Sequence, residues 1–308
     1  MDSIGIRGYA AALGNTRVAI DQLVDDPEKF DGIPSIWITN DIQQLMLETA
    51  RAALKHSDVQ PIDVDALFWV SALATNHQRP SESNQRADLN HFCYSASWLH
   101  SELGLRQAAI TGIAQQGCAG LFNAIRLAGG QLAFEPGIRN ILIVAGDALN
   151  PSADRQILFN LISDAACAMI VSRDRLSYRT LGVHQITKGA FWDVNSKTSE
   201  IAAGYFPSAK SVVRGLLERL SLEPSEIDWV IPTGIRRDSW LILLNLWGIP
   251  AERCFFPEIS FGHTIQADSF LILKEAENAG AILSGQRILL FTFGFGSTWS
   301  AVVLETTI

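Results

Sequence analysis

One cysteine in the sequence has surroundings that suit a nucleophile. Cys118 lies between Gly117 and Gly120 in the stretch AQQGCAGLFNAI, at the predicted start of a helix. A thiol attacks only as a thiolate, which a helix N-terminus stabilises through its dipole and free N–H groups. The glycines permit a tight turn, and the same N–H groups can stabilise an oxyanion. A buried structural cysteine is the competing interpretation, and this stretch alone leaves both open.

The other three cysteines have no such surroundings. Cys93, Cys167 and Cys254 lie in apolar or mixed runs without flanking glycines, so we expect them to be packing residues. The cysteines form no CxxC pair and the histidines form no cluster with metal-ligand spacing. The sequence therefore predicts neither a metal site nor a disulfide framework.

Four segments have the one-sided apolar spacing of amphipathic helices. In residues 41–57 the apolar stripe includes Ile42, Met46 and Leu54. The other three predicted helices are 122–134, directly after Cys118, then 208–222 and 268–283.

Four strand-like segments of the first half recur in the same order in the second half. Two are continuous apolar runs, as expected for strands covered on both faces. The pattern predicts two βαβαβαββ halves, residues 1–172 and 173–308, in an α/β protein with five α/β/α/β/α layers. The paired segments are 3–10 with 180–187, 62–73 with 225–235, 139–147 with 286–294, and 164–172 with 296–305.

Composition excludes several classes of protein. The 308 residues are 48% hydrophobic and 18% charged, as is ordinary for a chain with a substantial buried core. A net charge of −8 argues against a nucleic acid as the main partner. The sequence has neither an apolar run of membrane-spanning length nor a recognisable signal peptide. We therefore expect a cytoplasmic protein with reduced thiols and no membrane partner.

Over nearly its whole length, the sequence resembles the ketoacyl-ACP synthase III group of the thiolase fold. QQGCAGLFNAI looks like the nucleophile segment of that group, and FGFGSTW resembles its glycine-rich ending. The resemblance implies the thiolase fold, Cys118 as nucleophile, and a homodimer in which His77 lies in the dimer-contact loop. Other segments that follow the group's order are DALFWVSALATNHQRPS, ISDAACAMIV, IDWVIPTGIRR and SFGHTIQADS.

Two positions depart from the condensing members of this group. Those members carry His in the segment matching VIPTGI and Asn in the segment matching FGHTI, and both side chains bind a malonyl thioester carbonyl during decarboxylation. Here Thr233 and His263 occupy these positions. The resemblance therefore implies that ordinary decarboxylative condensation is lost, although Thr233 can still donate a hydrogen bond to a substrate.

His263 is followed five positions later by Asp268, as in a branch of the group that transfers acyl groups with a Cys (or Ser), His and Asp triad. This similarity implies that Cys118 attacks an acyl thioester, His263 moves the proton, and Asp268 orients the imidazole. Backbone N–H groups of Cys118 and of the turn carrying Phe295 and Gly296 would form the oxyanion hole, although the group usually has glycine at the Phe295 position. Asp268 as a helix cap alone, and His263 as a loop histidine, are the competing interpretations.

The resemblance also implies an acyl donor carried by acyl carrier protein or coenzyme A. No separate cofactor is expected, because phosphopantetheine arrives as part of the donor. Trp37 matches the group's coenzyme-contacting loop, but WITNDI lacks the base that would help to hold a pyrophosphate. Arg236 and Arg237 are candidates to bind an acidic carrier protein or its phosphate, and a solvated turn with Asp238 is the alternative. We expect the carrier protein to be the donor.

The acceptor would be the hydroxyl or amine of a small molecule. Trp192, Trp240 and Trp247 are candidate pocket residues, with core packing as the favoured interpretation. The similar branch works in natural-product assembly of the polyketide type. Two other functions stay open: an unusual condensing or priming synthase that forms a carbon–carbon bond, and a non-catalytic subunit of a homologous synthase. The presence of Cys118 argues against the second.

Overall fold

The computed structural model describes residues 3–30, 32–72, 94–150, 152–157, 160–194, 196–234, 236–257 and 260–307. The predicted packing residue Cys93 and the predicted dimer-loop residue His77 lie outside these ranges. Among the helices in these ranges, none has the combination of length and hydrophobicity that a membrane span needs.

The strands build one large sheet and two small hairpins. In chain order the strands in the described ranges are β1 (Gly5–Leu13), β2 (Thr16–Ala19), β3 (Ser35–Ile38), β4 (Ala66–Val70), β5 (Ala109–Ile113), β6 (Asn140–Asp147), β7 (Gln156–Ile157), β8 (Asn160–Leu161), β9 (Ala165–Ser172), β10 (Tyr178–Thr187), β11 (Trp229–Ile231), β12 (Arg287–Gly294) and β13 (Thr298–Thr306).

The order of strands in the large sheet shows the same arrangement twice. From the edge inwards, the first half contributes β5-β4-β6-β9-β1 and the second half β11-β12-β13-β10. An isolated parallel bridge between Val230 and Cys254 lies where the second half would have its remaining edge strand. Each half therefore arranges its strands in the same spatial order. β1 and β10 join the halves by antiparallel pairing at Gly5 and Ile6.

The helices pack on both faces and between the halves. Those in the described ranges are α1 (Ile42–His56), α2 (Ser95–Leu103), α3 (Gly120–Phe134), α4 (Thr198–Leu220), α5 (Arg237–Trp247) and α6 (Asp268–Asn278).

Three buried clusters define the layers of the molecule. The central cluster joins α3 and α6 to strands of both halves, through side chains such as Ile125 and Phe270. A second cluster packs α1 and α2 on the first half, and a third packs α4 and α5 on the second. Trp240 and Trp247 belong to this third cluster, so they are core residues. The order of layers is α/β/α/β/α, which confirms the predicted thiolase fold.

Four helices differ from the sequence prediction. α4 begins at Thr198 rather than 208, because Pro207, a residue that commonly marks a helix end, lies inside it. α6 ends at Asn278 rather than 283, because Gly280 adopts a φ of +68° and terminates it. α2 and α5 were not among the predicted helices, although Trp240 and Trp247 lie on the buried face of α5.

A buried ion pair holds the segment that leads into β9. The Asp164 carboxylate accepts hydrogen bonds from the Arg155 guanidinium at 2.7 and 3.1 Å, and from the N–H groups of Thr39 and Leu149. Both charged side chains are almost fully buried. Just before Asp164, residue Ile162 forms a parallel bridge with His263. The ion pair therefore fixes the loop against which this histidine lies.

We predict that Arg155→Met destabilises the protein by about 3 kcal/mol, because it leaves the buried Asp164 charge without its partner. Urea unfolding followed by tryptophan fluorescence measures the change. The matched control is Arg175→Met, which breaks an exposed pair with Asp58 and should cost less than ~1 kcal/mol. Equal losses in the two variants would contradict the proposed importance of burial.

Candidate active site

Cys118 lies in a single 3₁₀ turn, Gly117–Ala119, between β5 and α3. Gly117 has a positive φ of 50°, and a Cβ at this position would lie 2.4 Å from the Phe295 nitrogen. Only glycine fits such a close approach of two backbones. The thiol is therefore held at the start of a helix by a turn that leaves its side chain partly exposed.

The other described cysteines have a different environment. Cys167 and Cys254 are buried in the central and third clusters. Burial raises the pKa of both thiols, that of Cys254 to about 12. Neither thiol is suited to nucleophilic attack, in agreement with the packing roles predicted for them.

His263 meets Cys118 from the second half of the chain. Its Nε2 atom lies 3.2 Å from the Cys118 Sγ atom. The backbone of His263 is fixed on both sides, since its N–H donates to Leu161 O at 2.8 Å and its carbonyl accepts from Ser163 N–H at 2.9 Å. The imidazole is thus presented to the sulfur by a short strand-like contact rather than by a free loop.

Asp268 is 1% exposed and its carboxylate accepts four hydrogen bonds. Oδ2 accepts from His263 Nδ1 at 2.5 Å and from Gly234 N–H at 2.6 Å. Oδ1 accepts from the N–H and the hydroxyl of Thr264, both at 2.6 Å. The helix-cap interpretation does not fit, because Ala267 is the N-cap of α6 and none of the four donors belongs to that helix. The Asp268 carboxylate instead binds the imidazole and the loop around it.

The electrostatics of this line of residues favour a charged histidine. Burial lowers the pKa of His263, but the Asp268 carboxylate and the Cys118 sulfur outweigh it and hold this pKa well above its ordinary value. Burial likewise acts to raise the pKa of Asp268, yet the bonds from His263 and Thr264 keep it below its ordinary value. With Nδ1 bonded to the carboxylate, Nε2 is the ring nitrogen that faces the sulfur.

The turn between β12 and β13 lies directly against the nucleophile turn. A Cβ on Gly294 would lie 2.8 Å from Cys118 N, so the two backbones are in contact. The positive φ angles of this turn fall on Gly296 (89°) and Ser297 (57°), and Phe295 is not among the described residues with positive φ. A side chain at 295 is therefore compatible with the turn. The oxyanion hole formed by Cys118, Phe295 and Gly296 stays a prediction.

A second buried carboxylate supports the segment that follows His263. Gln266 Nε2 donates to Asp147 Oδ2 at 2.9 Å, and Asp147 Oδ1 accepts from the Ser71 hydroxyl at 2.9 Å. Ile265 adopts a φ of 64°, a conformation that β-branched residues rarely adopt. Tertiary contacts on both sides thus hold a strained residue beside the candidate active site.

Comparison with known proteins finds a matching family model, curated relatives and similar solved structures. Residues 217–306 match the family described as 3-oxoacyl-[acyl-carrier-protein (ACP)] synthase III C terminal. The β-ketoacyl-[acyl-carrier-protein] synthase III of Aquifex aeolicus is 22% identical over 307 residues, covering 94% of each chain. The crystal structure of the synthase from Aquifex aeolicus VF5 superposes with a TM-score of 0.82 over 98% of this chain and 99% of that one. The C-terminal part of the chain therefore matches this family, and the chain as a whole has the fold of these synthases.

Two other solved structures of this fold bear different functional names. The acyltransferase ChlB3 is 19% identical, with a TM-score of 0.84 over 99% of this chain and 98% of its own. The priming β-ketosynthase from the R1128 polyketide biosynthetic pathway is 20% identical, with a TM-score of 0.79 over 99% and 96%. At these identities the likeness shows the fold. The curated relatives are enzymes named β-ketoacyl-[acyl-carrier-protein] synthase III.

Thr233, which stands where condensing members of the family are expected to carry histidine, is buried beside the triad. Its carbonyl accepts a 3.2 Å hydrogen bond from Trp240 Nε1. The next residue, Gly234, supplies an N–H to Asp268, and a Cβ on it would lie 2.2 Å from Gly262 O. The backbone of this segment therefore holds the Asp268 carboxylate.

The two predicted carrier-binding arginines share one cavity with Thr233. The cavity has a volume of about 190 Å³, and Lys29 also lines it. The Arg237 guanidinium lies 4.5 Å from the centre of the Phe256 ring. Arg236 is half exposed and lies 3.6 Å from Asp238, and both arginines belong to the start of α5 rather than to a turn.

Two predicted site residues, Cys118 and Trp37, are not among the described residues that line this cavity. Cys118 is not among the described residues that line it, so the arginines are not shown at the mouth of a channel to the sulfur. Trp37 lies on β3, and its side chain packs against the central cluster. The structure does not bring Trp37 together with Arg236 and Arg237.

Several supporting residues were not predicted from the sequence. Thr264 is adjacent to His263, and its position in GHTIQAD is the one signal that could have identified it. Gly234, Gln266 and Asp147 are brought in by the fold, from positions with no distinctive spacing. Within the described ranges, no group of three or more His, Cys, Asp or Glu side chains could hold a metal ion.

We predict that Asp268→Asn lowers the pKa of His263. The neutral amide removes the charge that opposes burial, so the imidazole loses its proton at a lower pH than in the wild type. A ¹³C NMR titration of labelled histidine measures the pKa directly. Asp58→Asn, at an exposed site, is the control and should leave it unchanged. An unaltered His263 titration in Asp268→Asn would refute the assigned role of the carboxylate.

Proposed function

We propose that this protein is an acyltransferase that passes an acyl group through a Cys118 thioester to a hydroxyl or amine acceptor, without decarboxylation. The observation that carries the proposal is the unbroken line from the Cys118 sulfur through His263 to Asp268. Such a line supplies a nucleophile, a base and an orienting carboxylate. The substitution of Thr233 and His263 for the expected carbonyl-holding pair also supports transfer over condensation.

In the first half-reaction the Cys118 thiolate attacks the thioester carbonyl. The carbon–sulfur bond to the donor breaks, and the donor thiolate takes the proton from His263 Nε2. In the second half-reaction an acceptor O–H or N–H gives its proton to Nε2 as the acceptor attacks the acyl-enzyme. The bond to Cys118 then breaks and the thiolate–imidazolium pair is restored. Backbone N–H groups at Cys118 and Phe295 would stabilise both tetrahedral intermediates.

The proposed donor is an acyl carrier protein, with its phosphopantetheine as the only prosthetic group required. Lys29, Arg236 and Arg237 gather positive charge at one cavity of a chain whose net charge is −8. Such a cluster suits a phosphate or an acidic protein surface. The names of the curated relatives include acyl-carrier-protein, which supports the same donor. Coenzyme A is the alternative donor.

We further propose a homodimer that acts in the cytoplasm as part of polyketide-type biosynthesis. β5 lies at an edge of the large sheet, and Ile110 on it is 41% exposed. An apolar residue on an unpaired edge strand suits pairing with a second copy. The R1128 neighbour supports the biosynthetic setting, and a reduced cytoplasm keeps Cys118 available as a thiol.

The second candidate function is a condensing or priming synthase. The observation in its favour is that most relatives are named synthases and one structural neighbour is a priming β-ketosynthase. In that reaction His263 would serve a carbon nucleophile instead of an alcohol or amine. A product with a new carbon–carbon bond, or release of CO₂ from a malonyl donor, separates it from transfer.

We predict that incubation with an acyl carrier protein thioester adds the mass of one acyl group to the wild-type protein. Intact-protein mass spectrometry should detect no adduct on Cys118→Ala, and His263→Ala should load at least about 100-fold more slowly because its base is missing. A malonyl group should stay on the enzyme without loss of CO₂. Absence of an adduct with every carrier and coenzyme A donor would overturn the proposed function.

We predict that Arg236→Ala and Arg237→Ala each slow loading from the carrier protein about tenfold, as expected for a lost charge-assisted bond. The deficit should be absent with an N-acetylcysteamine thioester, which has neither the phosphate nor the protein. Arg214→Ala, on the exposed face of α4, is the matched control. A deficit of the same size with both donors would exclude a role in carrier recognition.

A further inference from the structure

The Gln266 side chain connects the two halves of the chain beside the triad. It lies between His263 and Asp268, in the segment that the second half contributes to the site. Its Nε2 atom donates a 2.9 Å hydrogen bond to Oδ2 of Asp147, the last residue of β6 in the first half. Both side chains are buried, and a hydrogen bond to a carboxylate in the interior is stronger than one between neutral groups in water.

The Asp147 carboxylate is itself fixed to the first half of the chain. Its Oδ1 atom accepts hydrogen bonds from the Ser71 hydroxyl and the Ala72 N–H, both at 2.9 Å. Ser71 directly follows β4, which pairs in parallel with β6. Gln266 is therefore bonded to a carboxylate that is held at the ends of two adjacent strands.

The other atom of the Gln266 amide lies against the helix of the nucleophile. A Cβ on Gly120, the first residue of α3, would lie 2.7 Å from Gln266 Oε1. The amide thus occupies the space that a side chain at position 120 would fill, two residues after Cys118. Gln266 Oε1 is buried without a hydrogen-bond partner among the described residues, which costs free energy. The bond to Asp147 is what the amide group contributes here.

The residue before Gln266 needs to be held in place. Ile265 has a φ of 64°, and a β-branched residue keeps such a conformation only where its surroundings enforce it. The bond from Gln266 to Asp147 fixes the chain directly after Ile265. Without this bond we expect Ile265 to relax towards a negative φ, which would displace the nearby backbone of His263.

We propose that Gln266 is a positioning residue that sets the separation between Cys118 Sγ and His263 Nε2. Through one side chain it fixes the His263 segment against both the strand ends and the start of α3. The 3.2 Å contact between sulfur and imidazole joins these same two segments. The inference rests on the nucleophile and base of the proposed function and deepens it by naming a residue that holds them together. Gln266 itself exchanges no proton.

The test compares full-length wild type with Gln266→Met, which keeps the length of the side chain and removes the bond to Asp147. In the first assay the Cys118 sulfur displaces iodide from iodoacetamide, and peptide mass spectrometry follows the adduct on Cys118. We expect alkylation about tenfold slower than in the wild type, because a small displacement of a nucleophile from its base costs this much. In acyl transfer, kcat should fall about tenfold while KM stays unchanged.

The second assay is a ¹³C NMR titration of His263. Burial lowers the pKa of this histidine, and the Asp268 carboxylate and the Cys118 sulfur raise it. In Gln266→Met the sulfur is displaced but the carboxylate remains. We therefore expect the pKa of His263 to fall below the wild-type value and to stay above that in Asp268→Asn. A side chain that only fills space would leave this titration unchanged.

The matched control is Asn140→Leu, which removes a buried amide from the opposite end of β6, about 23 Å from Asp147 along the strand. Its Nδ2 atom donates to Asp63 O and its Oδ1 atom accepts from the Ser172 hydroxyl. Urea unfolding should show lower stability for both variants. Asn140→Leu should nevertheless keep the wild-type alkylation rate and the wild-type His263 titration.

Wild-type alkylation and titration in folded Gln266→Met would overturn the positioning role. If Gln266→Met does not fold, the same assays are applied to Gln266→Asn, which keeps the amide but is one methylene too short for the present bond. Both assays work without an acyl donor. Failure of the wild type to form an acyl-enzyme would therefore reject the proposed function and leave the result for Gln266 standing.

Discussion

The charge of Asp268 is the constraint on which the geometry of the site depends. A carboxylate in the interior must be paired and hydrogen-bonded, because an unpaired buried charge is strongly destabilising. Its four donors come from the loop after β11, from the two residues that follow Gly262, and from no part of its own helix. Satisfying this one group therefore draws separate segments together. The imidazole of His263 is aimed at Cys118 as a result.

The duplicated fold explains why the nucleophile and its partners meet at all. α3 and α6 are the two helices of the central layer, and each belongs to one half of the chain. Cys118 precedes α3 and Asp268 begins α6, so the two N-termini supply opposite ends of the triad. Their beginnings are close, since a Cβ on Gly120 would lie 2.7 Å from Gln266 Oε1. The site lies on the pseudosymmetric boundary between the halves.

Local patterns in the sequence predicted what depends on local order. The glycine-framed Cys118, the five-residue spacing of His263 and Asp268, and the repeated strands are all visible along the chain, and the fold follows from them. The donors to Asp268 are not visible in this way, because Gly234 contributes only a backbone N–H and is 34 residues distant. The exposed Trp192 could not be told from the buried tryptophans, since residue type does not reveal which face meets solvent. The residues of α4 before Pro207 were not predicted as helix, because proline normally interrupts a helix. Packing against the core overrides that local preference here.

The four hydrogen bonds that Asp268 accepts also shield one side of the His263 ring from bulk water. Both carboxylate oxygens are occupied by donors and the side chain is buried, so no water chain can approach Nδ1 through it. Within the part of the chain that the structure describes, Nε2 faces the sulfur and is the ring nitrogen not bonded to the carboxylate. The route by which substrates enter is then also the route by which solvent protons enter. A bound substrate would consequently block exchange of the His263 proton with solvent, and exchange would occur only while the site is empty.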